Sequence, residues 1–258
     1  IMLDKKFGAS GNHVVVEEFL TGPEVSVLSF CDGKTVKPMV SSMDHKRALD
    51  HDEGLNTGGM GTVAPNPYYT PAVAERCMQE IFLPTVAAMQ AEGCPFKGCL
   101  YFGLMLTPDG PKVIEYNCRF GDPETQVVLP LLESDLLTVM EATTNGTLDK
   151  TDVKFSDGAA ACVILASGGY PLAYEKGKEI TGLTAGQLDA ADVTVYHAGT
   201  AIKDGRLVTN GGRVLGVTAT ANTLPEALKK AYAATESIHF DKLHKRSDIG
   251  ARALAAMQ

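Results

Sequence analysis

The stretch "VIEYNCRFGDPE", Val113–Glu124, decides the predicted fold, because it ends a β-strand with polar side chains and continues at once into a turn. Successive side chains of a strand point to opposite faces, so Glu115, Asn117 and Arg119 are predicted to share one face. A divalent cation that bridges nucleotide phosphates takes one or two protein oxygen ligands, which Glu115 and Asn117 supply. The donor fork of Arg119 suits phosphate or carboxylate oxygens. Taken alone, the motif is also compatible with a strand end of solvated polar residues.

The composition is that of a globular protein and disfavours several classes of function. The chain has 258 residues, of which 45% are hydrophobic and 21% charged, enough for a large core in one or two domains. No apolar run approaches the roughly 20 residues of a membrane span, so no membrane partner is expected. The net charge of -8 and the short basic clusters disfavour nucleic acid as the main partner. The six cysteines form no Cys-x-x-Cys pair, which indicates a reducing, cytoplasmic location.

The order of β-branched runs, glycine turns and apolar stripes predicts an α+β organisation. Two strands, "HVVVEEFL" (13–20) and "EVSVLSFCDG" (24–33), are expected to form a hairpin. A helix is predicted over 71–93, a hairpin over 99–117 with its turn at Pro108-Asp109-Gly110, and a second helical stretch from about Thr125 to Thr144. Polarity rises near 147–157, which predicts a domain boundary at about residue 150. Beyond it, further strands and a helix over 224–238 predict a small α+β domain.

A third strand, "KTVKPMVSS" (34–42), is predicted next, and two polar segments at its end and beyond it are candidates for anion binding. "SSMDHKR" (41–47) places Asp44 and Lys46 on one face, where a lysine can act as a point charge for phosphate. Taken alone, "DHKR" (44–47) is explained better by a surface charge cluster. "NTGGMG" (56–61) offers backbone amides without side-chain obstruction, as a loop around an anion requires. An ordinary glycine-rich turn explains that pattern nearly as well, and the region 44–67 is predicted to be an ordered functional loop.

A third segment, "VVVEEFLTGPEVS" (14–26), has the residue types of a nucleoside pocket. Glu17 and Glu24 are placed to accept hydrogen bonds from an adenine amino group and a ribose, with Phe19 and Leu20 flanking the base. The alternative is a hairpin with exposed acids. The histidines show no helical i, i+4 pairing and no Gly-x-Ser-x-Gly elbow occurs, so neither a zinc site nor a serine hydrolase is predicted. Two glycine turns, "ASGGYP" (166–171) and "NGGRV" (210–214), are structural or belong to a cleft wall.

Taken in this order, from about Phe7 to Arg252, the motifs resemble the glycinamide ribonucleotide synthetase (phosphoribosylamine-glycine ligase) family of ATP-grasp enzymes. The resemblance implies an α+β fold: an ATP-grasp antiparallel sheet with flanking helices in residues 1–150, then a small α+β domain in 151–258. It implies that ATP and Mg²⁺ or Mn²⁺ convert glycine into glycyl phosphate, from which the amine of 5-phosphoribosylamine displaces phosphate in purine biosynthesis. An ATP-grasp ligase for another carboxylate, and a non-catalytic nucleotide-binding fragment, remain as alternatives.

The resemblance also implies roles for individual residues. The metal ligands are expected to be Glu115 and Asn117, and the catalytic residues Arg119, Asp122 and Lys46. The nucleotide is expected to contact Glu17, Phe19, Leu20, Glu24, Asn56, Thr57, Gly58, Gly59 and Gly61. The substrates are expected to contact Asp44, Glu124, Tyr170 and Pro171.

Two departures from the family pattern bear on these expectations. Many ATP-grasp enzymes carry another acid on the preceding strand, whereas "YFGLML" has none, which leaves the number of metal ions open. The resemblance further places the family's amino-terminal domain, and the first half of the ATP-grasp B subdomain, before Phe7. The chain is therefore expected to be the carboxyl-terminal portion of such an enzyme, without turnover by itself.

Overall fold

The computed structural model describes Lys5 and residues 8–183 and 192–258. Within these residues the chain forms antiparallel sheets with flanking helices, which confirms the predicted α+β fold class. The strands are β1 (Glu24–Asp32), β2 (Val36–Pro38), β3 (Met43–Asp44), β4 (Arg47–Leu49), β5 (Glu53–Asn56), β6 (Gly61–Ala64), β7 (Lys97–Thr107), β8 (Gly110–Asn117), β9 (Ala159–Ser167), β10 (Val193–His197), β11 (Thr200–Lys203), β12 (Arg206–Thr209), β13 (Arg213–Ala221) and β14 (Leu243–His244). The helices are α1 (Pro71–Cys77), α2 (Leu83–Ala91), α3 (Thr125–Val128), α4 (Leu136–Asn145), α5 (Leu224–Thr235) and α6 (Ala251–Ala256).

The first sheet has the strand order β2-β1-β7-β8, and its strands are antiparallel. β1 is buried on both faces, because alternate side chains enter different cores. Val27 packs with Phe82 and Val86 from the helical stretch α1–α2, which a π-helical turn makes continuous. Leu28 belongs to a core that includes Val139 of α4. The sheet is therefore a rigid platform covered by helices, and β8 forms its edge.

The second sheet has the order β10-β13-β9-β6-β3, with β14 paired to the end of β9. β9 is buried along its whole length, as its unbroken apolar sequence predicts, and α5 packs against it. β3 and β6 precede residue 150 and β9 follows it, so one sheet contains strands from both sides of the predicted boundary. The division at residue 150 therefore lies in a connection within one sheet, and it remains a prediction.

The hairpin predicted over 13–33 is wrong in its first strand. Residues 13–20 form no strand, and Val15 and Val16 are 85% and 90% exposed. A strand needs backbone groups of a neighbour, but one edge of β1 pairs with β7 and the other with β2 and Ser42. The β-branched residues of this segment thus have no strand edge to join within the described residues.

The helical stretch expected from Thr125 to Thr144 is also corrected, since α3 and α4 are separate. The chain leaves α3 through a 3₁₀ turn that contains Pro130, and Asp135 then caps a new helix, accepting a hydrogen bond from the backbone N–H of Thr138 at 2.7 Å. The region 44–67 is ordered as predicted, but it carries the β4–β5 hairpin and β6 rather than only loop. Among the helices of the described residues, none is long and apolar enough to cross a membrane.

Candidate active site

A polar cavity of about 180 Å³ lies where β8 and the turn after it face the region 44–58. All of its lining residues except Tyr101 were predicted as site residues. Strand alternation beyond β8 brings the three residues of the opening motif to the same cavity. The lining consists of Asp44, Lys46, Thr57, Gly58, Tyr101, Glu115, Asn117, Arg119, Asp122 and Glu124.

The register of β8 against β7 sets the direction of the metal-ligand candidates. Glu115 lies opposite Gly103 and Asn117 opposite Tyr101, and an irregularity one step earlier leaves Ile114 without an opposed partner. A Cβ atom at Gly103 would lie 3.0 Å from the Glu115 side chain, so the glycine leaves room for this carboxylate. The intervening side chains, Tyr116 and Cys118, line a separate apolar groove on the other face.

Two acids, the buried Glu124 and the half-buried Asp44, form one wall of the cavity. Glu124 is 5% exposed, and the hydroxyl of Tyr101 donates to its Oε1 at 3.0 Å while lying 2.7 Å from the Oγ of Ser26. Asp44 Oδ1 accepts the backbone N–H of His45 at 2.7 Å. Burial, together with the negative charge of Glu124, raises the pKa of Asp44, and burial raises the pKa of Glu124. The wall therefore favours a cation or a retained proton.

Lys46 supplies a positive charge opposite these acids. Its Nζ lies 2.9 Å from Oε2 of Glu24. Burial opposes the charge on Lys46, but the hydrogen bond and charge of Glu24 outweigh it and raise the pKa of the lysine. The backbone carbonyl of Lys46 accepts hydrogen bonds from the backbone N–H of Thr57 at 2.7 Å and from its hydroxyl at 2.8 Å. The two ends of the β4–β5 hairpin are thereby fixed side by side at the cavity.

Residues from beyond position 150 hold the glycine loop. The hydroxyl oxygen of Tyr170 accepts the backbone N–H of Gly58 at 3.0 Å. Arg213 Nη1 donates to the carbonyls of Gly58 and Asp122, both at 2.8 Å, and lies 3.2 Å from the Asp122 carboxylate. Arg213 was missed from sequence, although it lies in the quoted "NGGRV" turn, because only the glycines of that turn carried a signal. Neither Tyr170 nor Pro171 lines the cavity, and their contact with substrate stays a prediction.

Three other loop residues lie beside the cavity rather than in it. Asn56 is exposed and pairs with Arg47 across the hairpin. Gly59 has φ 112°, and a Cβ there would lie 2.5 Å from Pro123. Gly61 begins β6, where a Cβ would lie 2.7 Å from the carbonyl oxygen of Cys162. Close backbone packing therefore explains these glycines, and their contact with nucleotide stays a prediction.

The residues predicted to contact adenosine line a second cavity of about 350 Å³, adjacent to the first. Phe19 is one of the lining residues and is 90% exposed, so this side of the cavity is open to solvent. The ion pair of Lys112 Nζ with Glu18 Oε2, at 2.7 Å, holds the segment against β8. Glu24 lines this cavity and pairs with Lys46 of the first one. The lining consists of Glu17, Glu18, Phe19, Leu20, Glu24, Met105, Lys112, Val113 and Ile114.

The donor set fits a nucleotide-bound cation better than a fully protein-bound one. Throughout the described ranges, no group of three or more His, Cys, Asp and Glu side chains is arranged to hold a metal ion. A cation that bridges phosphates needs only one or two protein oxygens, and Glu115 and Asn117 line the same cavity. These two residues could therefore hold such an ion together with phosphate oxygens and water.

The antiparallel sheets with flanking helices are those of an ATP-grasp fold, which solved structures and a family model support. Biotin carboxylase from Campylobacter jejuni, solved as a complex with β-γ-ATP, superposes with a TM-score of 0.64 at 12% identity, over 89% of this chain and 48% of that chain. Phosphoribosylamine-glycine ligase from Thermotoga maritima superposes with a TM-score of 0.81 at 39% identity, over 90% of this chain and 57% of that chain.

Family models make the assignment specific. "Phosphoribosylglycinamide synthetase, ATP-grasp (A) domain" matches residues 1–125, and "Phosphoribosylglycinamide synthetase, C domain" matches residues 160–252. The chain belongs to the phosphoribosylglycinamide synthetase family, which confirms the family expected from the motifs.

Curated relatives are similar over nearly the whole of this chain. Phosphoribosylamine-glycine ligase of Vibrio vulnificus strain YJ016 is 50% identical over 98% of this chain and 58% of its own length. The trifunctional purine biosynthetic protein adenosine-3 of Gallus gallus is 51% identical over 99% of this chain and 25% of its own length. The chain thus spans between about a quarter and three fifths of the curated relatives described here.

Proposed function

We propose that this chain provides the phosphate and metal side of an ATP-dependent ligase that joins glycine to 5-phosphoribosylamine in purine biosynthesis. The observation that carries the proposal is the convergence of Glu115, Asn117, Arg119 and Lys46 on one cavity beside two acids, the buried Glu124 and the half-buried Asp44. Acyl phosphate formation requires cationic groups around a transferring phosphoryl group and a shielded cleft. The names of the relatives support the choice of substrates.

The first half-reaction forms glycyl phosphate. A carboxylate oxygen of glycine attacks the γ-phosphorus of ATP, the bond to the β–γ bridging oxygen breaks, and ADP leaves. Lys46 and Arg119 stabilise the negative charge on the phosphoryl oxygens by charge-assisted hydrogen bonds. Glu115 and Asn117 would hold Mg²⁺ or Mn²⁺, which neutralises phosphate charge when bound. Asp122, tied to Arg213 and to Gln126 Nε2 at 2.9 Å, keeps the loop in place beside them.

The second half-reaction forms the amide. The amine of 5-phosphoribosylamine attacks the carbonyl carbon, and the bond from that carbon to the phosphate oxygen breaks. The attacking nitrogen must lose a proton, and a carboxyl group whose pKa lies above its ordinary value is suited to accept one near neutral pH. Asp44 and Glu124 have that property and line the cavity. We assign them to substrate binding and proton transfer in this step.

The adenosine part of ATP is assigned to the second cavity. Phe19 and Leu20 provide apolar surface for a base, and Glu17 and Glu24 provide acceptors for amino and hydroxyl groups. The contact of Glu24 with Lys46 joins the two cavities, so one nucleotide can lie with its base in one and its phosphates in the other. A cytoplasmic location is supported by the six free cysteines and by the purine biosynthetic relatives.

The test separates the metal role of Glu115 from general damage. Calorimetry of the purified chain is expected to show tighter ATP binding with Mg²⁺ than with EDTA, and Glu115→Gln should abolish that difference. Glu92→Gln, an exposed acid outside both cavities, is the matched control. An unchanged Mg²⁺ effect in Glu115→Gln would contradict the metal assignment. In an enzyme carrying the complete family sequence, sustained ADP release should require glycine and 5-phosphoribosylamine together, because the glycyl phosphate formed from glycine alone is not consumed.

Two alternatives have distinct outcomes. If the chain by itself is a nucleotide-binding fragment, it binds ATP and releases no ADP with glycine, and steady turnover would exclude this reading. If the complete protein acts on another carboxylate, ADP release will depend on that acid rather than on glycine. A panel of amino acids and simple carboxylates, each tested with and without 5-phosphoribosylamine, decides between the substrates.

A further inference from the structure

The β4–β5 hairpin carries two cavity residues at its ends but has little to hold it in place. Lys46 precedes β4 and Thr57 follows β5, and every residue of β5 is exposed. The turn between the strands places His51 and Asp52 in the left-handed region, at φ 59° and 56°. Such angles cost energy in non-glycine residues and persist only where surrounding contacts fix them. The hairpin therefore requires support from outside itself.

That support comes from residues almost two hundred positions away. Arg246 is 1% exposed, and its Nε and Nη2 donate to the two oxygens of Asp248 at 2.7 and 2.8 Å. Its Nη1 donates to Oδ1 of Asp52 at 3.0 Å and to the carbonyl of Arg47 at 3.1 Å. Burial opposes ionisation of Asp248, but the Arg246 hydrogen bonds prevail and hold its pKa below the ordinary range. One buried guanidinium thus joins this acid to the turn of the hairpin, at Asp52, and to the first residue of β4, Arg47.

The neighbours of Arg246 fix the backbone of the same turn. The backbone N–H of His51 donates to Oδ2 of Asp248 at 2.8 Å. The backbone N–H of Ser247 donates to Oδ1 of Asp50 at 2.8 Å, and its hydroxyl donates to Oδ2. We call Arg246, Ser247 and Asp248 the clasp. Because the clasp contacts three successive residues of the turn, it sets both the position and the twist of the hairpin.

A second contact from the same part of the chain acts at the root of the hairpin. His45, between the cavity residues Asp44 and Lys46, is 1% exposed. Its Nε2 accepts the backbone N–H of Gly250 at 3.0 Å, and its Nδ1–H donates to the carbonyl of Gly61 at 3.1 Å. The segment 44–57 is therefore fixed at its turn by the clasp and at its root by Gly250.

We propose that residues 244–252 are a positioning element for the phosphate side of the cavity, with Arg246, Ser247 and Asp248 acting through the hairpin on Lys46 and Thr57. This inference rests on the proposed function for its ligand, MgATP. Buried ion pairs add little net stability but restrict geometry, which suits a positioning role. The clasp does not border the cavity and is not assigned to contact substrate.

The test removes the outer contact of the clasp without leaving a buried charge. Asp50→Ala deletes both acceptors for Ser247, and Asp50→Asn, which keeps one acceptor, is the conservative rescue. Glu175→Ala is the control, since this exposed acid also has two partners, Lys178 and Lys242. Amide hydrogen exchange over residues 45–60 should quicken about tenfold or more in Asp50→Ala, remain near wild type in the other two, and stay unchanged in β1 and β7.

Nucleotide affinity then distinguishes positioning from general destabilisation. In Asp50→Ala the affinity for MgATP should fall about tenfold, the loss of one well-placed charged hydrogen bond, while the affinity for adenosine is unchanged. Arg246→Lys, which keeps the charge but loses the forked geometry, should show the same pattern.

Three results would overturn the inference: unchanged exchange over 45–60, unchanged MgATP affinity despite faster exchange, or equal losses for MgATP and adenosine. If the wild-type chain binds no nucleotide, the proposed function fails. The exchange measurement then still decides whether the clasp holds the hairpin.

Discussion

The buried His45, at the root of the hairpin, is expected to make the stability of the chain depend on pH. His45 is neutral in the structure, because one ring nitrogen accepts a backbone N–H and the other donates to a carbonyl. Burial lowers the pKa of His45 from its ordinary 6.5 to about 4, helped by the charges of Arg252 and Arg246 and opposed by Asp52. Acidification must therefore favour the unfolded chain, which binds a proton at this residue more readily.

The sign and size follow from the two pKa values. The stabilisation is complete above pH 6.5 and is lost as the pH falls toward 4, because the unfolded state takes up the proton first. The loss of unfolding free energy from this residue is about 2 kcal/mol at pH 5 and about 3 kcal/mol at pH 4. At neutral pH the contribution from proton uptake is close to zero.

The assay compares urea unfolding of the wild-type chain with His45→Gln at pH 7.5, 5 and 4. Glutamine does not titrate and keeps an acceptor near the backbone N–H of Gly250. The variant loses a fixed amount of stability at pH 7.5, and the difference from wild type should shrink by about 3 kcal/mol at pH 4, since only the wild type pays for protonation. His239→Gln replaces an exposed histidine as a control. A difference that is constant with pH would refute the neutral, buried state of His45.

Two further substitutions test the glycine loop. Gly59→Ala should lower the unfolding free energy by about 3 kcal/mol, because the left-handed backbone and the approach to Pro123 both oppose a Cβ. The control is Gly205→Ala, also at positive φ but in open space, which should lower it by only about 1 kcal/mol. Equal losses in urea titrations would contradict the close-packing argument. Arg213→Met should weaken MgATP binding about tenfold in calorimetry, because it releases the glycine loop. The control Arg206→Met breaks an exposed ion pair and should leave MgATP affinity unchanged. Similar affinities for the two variants would exclude a role for Arg213 in holding the loop.

Sequence periodicity predicted secondary structure correctly where a segment's structure depends on residues adjacent to it in the chain. The hairpin of β7 and β8 turns where Pro-Asp-Gly predicts, and the helical stretch over 71–91 follows its apolar stripe. The same alternation directs Glu115, Asn117 and Arg119 into one cavity and Tyr116 away from it. These features depend on periodicity along a few consecutive residues, which the sequence displays directly.

Two structural predictions made from local sequence pattern were wrong. The valine run at 14–16 has high strand propensity, but the described structure offers it no free strand edge. The stretch after Thr125 has helical periodicity throughout, yet Asp135 caps a second helix and divides it. The first error concerns strand partners, which propensity does not contain, whereas the second overlooked local signals, Pro130 and the capping Asp135.

The family, the sheet platform and most residues of the cavity could be predicted from the amino-acid sequence, since motif order and strand alternation are properties of the chain. Three contacts emerge only in the folded molecule: Arg213 holds Gly58, Tyr101 contacts Glu124, and Arg246 fixes the hairpin from 194 positions beyond Asp52. These contacts join residues that are far apart in the chain, and no periodicity or spacing encodes them. They exist because two packed sheets bring such segments together, where a buried charge is stable only beside its partners.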